Sequence, residues 1–396
     1  MSNREPTVGT DQSRRSTPSQ HRFAWLFDPK LLAVVLGSLA VVLIGGLIQV
    51  SLGSYSMTLI QAWQAVFNPD VLFNPRAWQA FLLGGQINID VLLNPFAWES
   101  LIVTAGLPEM STESLIVWNI RIPRVFVAIL VGMNLALSGA IFQAVTRNEL
   151  ASPFILGVSS GAGLMILLTL VVFGSLASFL PIIASVGGAL AFLIVYAIAW
   201  KNGTSPMRLV LAGVIVGTVF GSLQTALFFF ADDIGVVQSA IAWTTGSLTG
   251  TDWQQVRLAL PWTVVAVLLG VAGSRQCNVL LLGEQTAKSL GMSIEKVRFG
   301  LSGVAVLAAS ASIAVAGIVG FVGLIVPHMV RNLVGSDYRK LIVGSLFVGP
   351  ALMVGADVGA RLALNPVQIP VGIVTGLVGG PYFLYLMRKQ DSMGEM

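Results

Sequence analysis

The chain has 396 residues, 55% of them hydrophobic and only 10% charged, with a mean hydropathy of +0.84. Apolar runs of about 20 residues recur along it, the span an α-helix needs to cross a bilayer's hydrocarbon core, and no soluble domain needs so much apolar sequence. The net charge of +4 comes from basic residues scattered over short loops, which argues against nucleic acid as a partner, and the lone Cys277 rules out an intrachain disulfide and a cysteine metal site.

In chain order, residues 1–30 are polar and hold Arg4, Arg14, Arg15, Arg22 and Lys30, which reads as a disordered cytoplasmic tail. The apolar run that follows lacks a small-residue cleavage site, so 31–52 is expected to be the first transmembrane helix rather than a signal peptide. Residues 53–118 form a long extracytoplasmic insertion with a local repeat: DVLFNPRAWQ at Asp70–Gln79 returns as DVLLNPFAWE at Asp90–Glu99. Asn-Pro pairs interrupt it, and Trp63, Trp78 and Trp98 suit the membrane interface, so it reads as a surface loop lying on the bilayer.

Residues 119–388 form the transmembrane core. Nine further spans are expected at about 121–143, 154–175, 178–200, 207–230, 257–274, 299–318, 321–335, 341–360 and 369–387, the eighth short and sharing an edge with the seventh. The fold class is therefore an all-α polytopic membrane protein with about ten transmembrane helices. Gly213, Gly217 and Gly221 form a small-xxx-small stripe suited to close helix packing, a spacing repeated at Gly355/Gly359 and Gly372/Gly376.

The charges orient this map. With the N-terminus inside, seventeen of the 22 Lys and Arg residues fall on the inner side, so both termini are expected in the cytoplasm. The outer side keeps Arg76, Arg121, Arg124, Arg257 and Arg361. Arg121, Arg124 and Arg361 lie at outer helix ends, where charge is costly unless it meets water, headgroups or a partner. Asp357, four residues before Arg361 and on the same helix face, is expected to form an ion pair with it.

Catalytic signals are weak. Gly157-Val158-Ser159-Ser160-Gly161 matches a nucleophile elbow, but it opens an apolar helix instead of following a strand. No lysine follows a glycine, so no phosphate-binding G-x-x-x-x-G-K-[ST] loop exists, and any ATP with its magnesium must be bound by another chain. No metal site or bound cofactor is expected in this one. The scarcity of intramembrane acids argues against proton or sodium coupling, although a secondary transporter without an ATPase is kept as an alternative. On the inner side, Glu284–Leu290 can form a short helix with Ala287 and Leu290 on one side, bracketed by Gly283 and Gly291, suited either to docking on a soluble partner or to lying as a plain interfacial helix.

Five ordered blocks carry a resemblance: IRIPR at Ile120–Arg124, LSGAIFQAVTRNELASPFILGVSSGAG at Leu137–Gly163, LLLGEQTAKSLG at Leu280–Gly291, GIVGFVGLIVPHMVR at Gly317–Arg331 and PVGIVTGLVGGPYFLYL at Pro370–Leu386. Together they resemble the FecCD family, the iron-siderophore and vitamin B12 class of type II ABC importer permeases. The resemblance implies a ten-helix subunit of the bacterial inner membrane that pairs with an identical or homologous permease. It also implies two cytoplasmic ATPase subunits and an extracytoplasmic substrate-binding protein. By the same resemblance, Arg121, Arg124 and Arg361 dock acidic residues on that protein, and Glu284, Ala287, Leu290 and Gly291 belong to the coupling helix 284–291. The implied load is a ferric siderophore or other iron(III) chelate, with cobalamin or haem as alternatives. The chain departs from the family's common pattern at Glu149, where Asn-Pro-Leu-Ala is usual, and at Gln368, where Glu-x-Pro is frequent.

Overall fold

A computed structural model describes residues 24–394 apart from 52, 54, 56, 85, 88–101, 104–109, 202, 232, 365 and 366. Most of the expected tail and the second copy of the repeat, Asp90–Glu99 with Trp98, lie outside the described residues. Sixteen helices carry the description: α1 Pro29–Ser51, α2 Leu59–Val66, α3 Pro69–Leu72, α4 Pro75–Leu83, α5 Thr112–Thr146, α6 Val158–Val171, α7 Leu180–Ala199 and α8 Pro206–Phe228. They continue as α9 Ile234–Thr245, α10 Trp253–Ala272, α11 Ser274–Leu281, α12 Glu284–Ser289, α13 Ile294–Ala316, α14 Val322–Val334, α15 Tyr338–Leu362 and α16 Val371–Gly394. The one described strand pairing is a two-residue antiparallel contact, Gln86–Ile87 against Ile102–Val103.

Among the described residues seven helices are long and apolar enough to span a bilayer, and α6, α14 and the Val371–Tyr385 part of α16 are shorter apolar helices. These ten coincide with the ten expected spans. Hydropathy gives no warning of α9, α11 or the short helices of the insertion, because none is long enough to register as a span.

Helix α5 is the axis of the bundle. It is 78% buried over its most apolar window, whereas α1 is 11% buried and leaves most of its surface uncovered by this chain. Small residues let neighbours cross α5 closely. Gly132 meets the backbone of Gly349 and Pro350 in α15, with 2.6 Å between an added Cβ and the Pro350 nitrogen. Two turns further along, a Cβ on Gly139 would overlap the Gly323 carbonyl of α14. The early part of α5 is wound as a π-turn over Val117–Arg121 just before Pro123. Proline lacks the N–H that would bond the carbonyl four residues back, and the wider turn accommodates this.

The expected glycine stripe packs only in part within the chain. Gly213 presses on Leu156, Gly217 is in ordinary contact with Ser160 and Gly221 has no atom within 4 Å. Further along α8 the long Gln224 side chain bridges to α6, its amide donating to the Ser160 carbonyl at 2.9 Å.

Between α13 and α14 the chain runs unwound from Gly317 to Gly320. Backbone bonds to a second bend satisfy it: Ile318 N–H to the Trp243 carbonyl (2.9 Å) and Ser247 N–H to the Ala316 carbonyl (2.8 Å). Irregular backbone at membrane depth needs such protein partners because lipid offers none. This break explains why α14 is short and abuts α13.

The described part of the insertion is folded onto the bundle, which corrects its reading as a loop lying on the bilayer. Phe81 of α4 stacks between Trp118 and Trp253, with centroids at 5.7 and 4.8 Å, and Trp78 meets Trp118 edge-on at 5.5 Å. The Trp118 indole donates to the Ala65 carbonyl (2.9 Å) and the Trp253 indole to the Trp118 carbonyl (2.6 Å). Buried indoles need such partners, and these tie α2 and α4 to α5 and α10. Trp63 is half exposed, and its indole donates to Ser51 Oγ at 3.1 Å.

Gly139→Leu is expected to lower bundle stability by on the order of 3 kcal/mol, because the added side chain must displace backbone at the α5–α14 crossing. Gly221→Leu, which meets open space within the chain, is expected to leave it nearly unchanged. Thermal unfolding of the detergent-solubilised permease checks the contrast, and equal losses would contradict it.

Candidate functional site

At one end of the bundle the three arginines singled out from sequence do converge, around a cavity of about 230 Å³ also lined by Tyr55, Thr249–Thr251 and Gln368. They are not exposed anchors. Arg121 and Arg124 are 3% and 6% exposed, and Arg361 is half-buried. Arg124 grips Asp357 with a bidentate fork, Nη2 to Oδ1 at 2.8 Å and Nε to Oδ2 at 2.9 Å, and its Nη1 donates to Gln368 Oε1 at 2.8 Å. Gln49 also donates to the same carboxylate, which is 0% exposed.

The expected Asp357–Arg361 pair is therefore replaced by Asp357–Arg124. Arg361 instead donates to the Gln49 carbonyl (2.8 Å), and Arg121 to the carbonyls of Val50 (2.5 Å) and Tyr55 (2.8 Å). Gln49 and Val50 lie in the last turn of α1, whose final carbonyls have no partners within the helix. Cations are favoured at a helix C-terminus, so two arginines from other helices cap this one. Gln49, Asp357 and Gln368 complete the site. Sequence spacing could not join them, because Arg124 and Asp357 are 233 residues apart.

The opposite end holds the glutamates. Glu284 starts α12 and accepts from Arg298 Nη2 at 2.9 Å, with Arg147 Nη2 at 3.9 Å. Ala287 is buried but Leu290 is 63% exposed, so these two do not share a face as expected; Ala287 packs inward while Leu290 and Leu282 stand out. Gly291 has φ +82° and lets the chain turn back into α13. A cavity of about 990 Å³ opens here, lined by Arg147, Ser205, Met207, Gly283, Glu284 and Thr286. Nearby, Glu149 reaches from the α5–α6 loop to His328 Nδ1 (3.5 Å) and Arg331 Nη1 (3.3 Å) on α14. Arg331 also donates to Gln143 Oε1 at 3.0 Å. The His328 ring nitrogen holds the Glu149 carboxyl below its ordinary value, Arg331 assisting and burial opposing.

The nucleophile-elbow match does no chemistry of that kind here. Ser159 is buried in the first turn of α6, and the Ser160 hydroxyl donates to the Gly157 carbonyl at 3.0 Å. Among the described residues no group of three or more His, Cys, Asp or Glu could hold a metal ion.

Comparison with known proteins gives this geometry a context. The sequence model of the FecCD transport family matches residues 39–389. An iron(3+)-citrate import system permease of Bacillus subtilis is 40% identical over 279 residues, covering 70% of this chain and 83% of that protein. A cobalamin import system permease of Halobacterium salinarum is 40% identical over 287 residues, covering 72% and 76%. A solved metal-chelate type ABC transporter in an inward-facing conformation superposes with TM-score 0.71 at 25% identity, covering 90% of this chain and 99% of that one.

Two outcomes test the polar contacts. Asp357→Ala strands the buried Arg124 charge and is expected to cost about 3–5 kcal/mol, whereas the joint change Arg124→Met with Asp357→Leu costs far less. Thermal unfolding of the purified protein separates the two. For Glu149, a carboxyl depressed in the folded state stabilises above its unfolded value and loses that contribution as pH falls through the folded value. The wild type is therefore expected to lose stability progressively below the ordinary value of 4.5, and Glu149→Gln to flatten that acid limb in melting curves.

Proposed function

The chain belongs to the FecCD transport family, whose members are permease subunits of ABC importers, and from that premise we propose that its load is an iron(III) chelate. The support is the weight of iron among its relatives, which include an iron(3+)-hydroxamate permease of Bacillus subtilis, 38% identical over 287 residues. Cobalamin is the second reading, favoured by the equal identity of the Halobacterium salinarum relative.

We propose that the arginine end faces outward and the Glu284 end the cytoplasm, with both termini inside, as the distribution of Lys and Arg requires. The arginine cavity is then the landing site for a substrate-binding protein. The observation that carries this reading is a charge imbalance: three guanidiniums line one cavity and a single carboxylate, Asp357, offsets one of them. Two positive charges remain whose bonds, among the described residues, run to neutral carbonyls. A carboxylate presented by a partner would meet planar, pre-set donors there. Such pairs set orientation and encounter rate as well as affinity.

At the inner end, α12 with the exposed Leu282 and Leu290 forms the surface on which a separate ATPase acts. A second permease, identical or homologous, completes the pathway across the membrane. The energy arrives as movement of α12, and this chain needs no cofactor of its own.

Uptake of labelled ferric citrate, ferric hydroxamate, haem and cobalamin in a strain lacking this permease tests the load, and loss of cobalamin uptake alone would overturn the iron reading. For docking, Arg361→Gln and Arg121→Gln are each expected to weaken stimulation of the ATPase by the binding protein about tenfold or more, most strongly at low salt. Unchanged stimulation by both variants would end the docking assignment. Arg124 is unsuited to this test because its loss also exposes the buried Asp357 charge.

A further inference from the structure

Arg298, in the first turns of α13, carries a charge with its side chain 1% exposed, and neither the landing site nor the surface of α12 accounts for it. Its guanidinium joins segments far apart in sequence. Nη2 donates to Glu284 at the start of α12 (2.9 Å). Nη1 donates to the Thr204 carbonyl (2.5 Å) and hydroxyl (3.0 Å) in the α7–α8 turn, and to Glu295 one turn back on α13 (3.2 Å). Glu295 closes the ring by accepting from the Thr204 N–H (3.0 Å) and hydroxyl (2.8 Å). Arg208 pins the same turn from α8 through the Gly203 carbonyl at 2.7 Å.

Among the described residues the Glu284–Arg298 bond is the one side-chain hydrogen bond joining α12 to the rest of the bundle, Arg147 standing further off at 3.9 Å. The α7–α8 turn and the start of α12 line the same cavity, the turn through Ser205 and α12 through Glu284. A planar guanidinium held on both edges cannot follow one partner without leaving or dragging the other. Burial shields the guanidinium half of that link, while Glu284 is 38% exposed at the surface end. We infer that Arg298 is a positioning residue that passes movement of α12 to the α7–α8 turn at the inner mouth of the permease. The inference rests on the proposed action of an ATPase on α12.

The experiment uses the whole complex, permease with its ATPase, and needs no transported load. Cys277 is buried and 0% exposed, so spin labels can be placed at exposed positions on Lys288→Cys in α12, Lys201→Cys in the α7–α8 turn and Ser336→Cys as a reference. MgATP is expected to shift both the 288–336 and the 201–336 distances in the otherwise unaltered protein. In Arg298→Lys, and independently in Glu284→Ala, the 288–336 shift is expected to persist while the 201–336 shift is lost. A 201–336 shift retained in both variants overturns the inference, as does its absence without them. The unaltered complex tests the underlying reading: if the ATPase is bound and MgATP leaves the 288–336 distance unchanged, the action on α12 fails and the inference falls with it. If Leu290→Asp releases the ATPase but the two variants keep the 201–336 shift, only the role of Arg298 falls.

Discussion

The fork of Arg124 on Asp357 is the contact on which the arginine end depends. A carboxylate with no exposed surface is tolerable in a membrane protein only when its charge is matched and its lone pairs are filled. Arg124 supplies the charge and two hydrogen bonds, and Gln49 supplies another. This fixes α5, α15 and the end of α1 in one arrangement. With α1 so placed, its last carbonyls fall within reach of Arg121 and Arg361. A helix with little buried surface is thus held at its C-terminal end by charge-assisted bonds, while at its other end Asp28, just before its first turn, pairs with Lys340.

The middle of the bundle is held differently. Close crossings of α5 at Gly132 and Gly139 leave no space for a side chain between α5, α14 and α15. The ends, by contrast, are tied by side chains long enough to change partners. Polar networks at both ends of a close-packed axis suit a subunit that must register events on two membrane faces without carrying charge through the core. The pairing of Asn134 with Thr263 at 2.8 Å between α5 and α10 is the kind of neutral contact found between.

Much of this was legible in the sequence because hydropathy and the count of Lys and Arg are local properties. Ten spans and the clustering of Arg121, Arg124 and Arg361 needed no tertiary information. What remained hidden depends on contacts between distant segments. Helical spacing favoured Arg361 for Asp357, yet the partner comes from α5, because a fork aimed across a helix interface reaches both oxygens. The Trp78 segment looked interfacial because tryptophan suits both a headgroup layer and an aromatic core, and only the position of Phe81 between Trp118 and Trp253 decides. Ala287 and Leu290, three residues apart, should share a face on a long helix. The helix ends at Ser289, so Leu290 leaves that register.

The two departures from the family's usual pattern both fall on these networks. Glu149 places a charge between His328 and Arg331 where a proline would offer neither charge nor hydrogen bond, so in this chain the α5–α6 loop is bound to α14 electrostatically. Gln368 accepts from Arg124 at 2.8 Å with a neutral oxygen. A glutamate there would take the same hydrogen and also offset a second guanidinium, leaving one uncompensated positive charge beside the cavity instead of two. The amide therefore keeps the geometry of the site and raises its demand for an outside carboxylate. An unmatched charge held in place by neutral carbonyls is costly to the isolated chain, and under the proposed docking role that cost is what would make a charged partner selective for it.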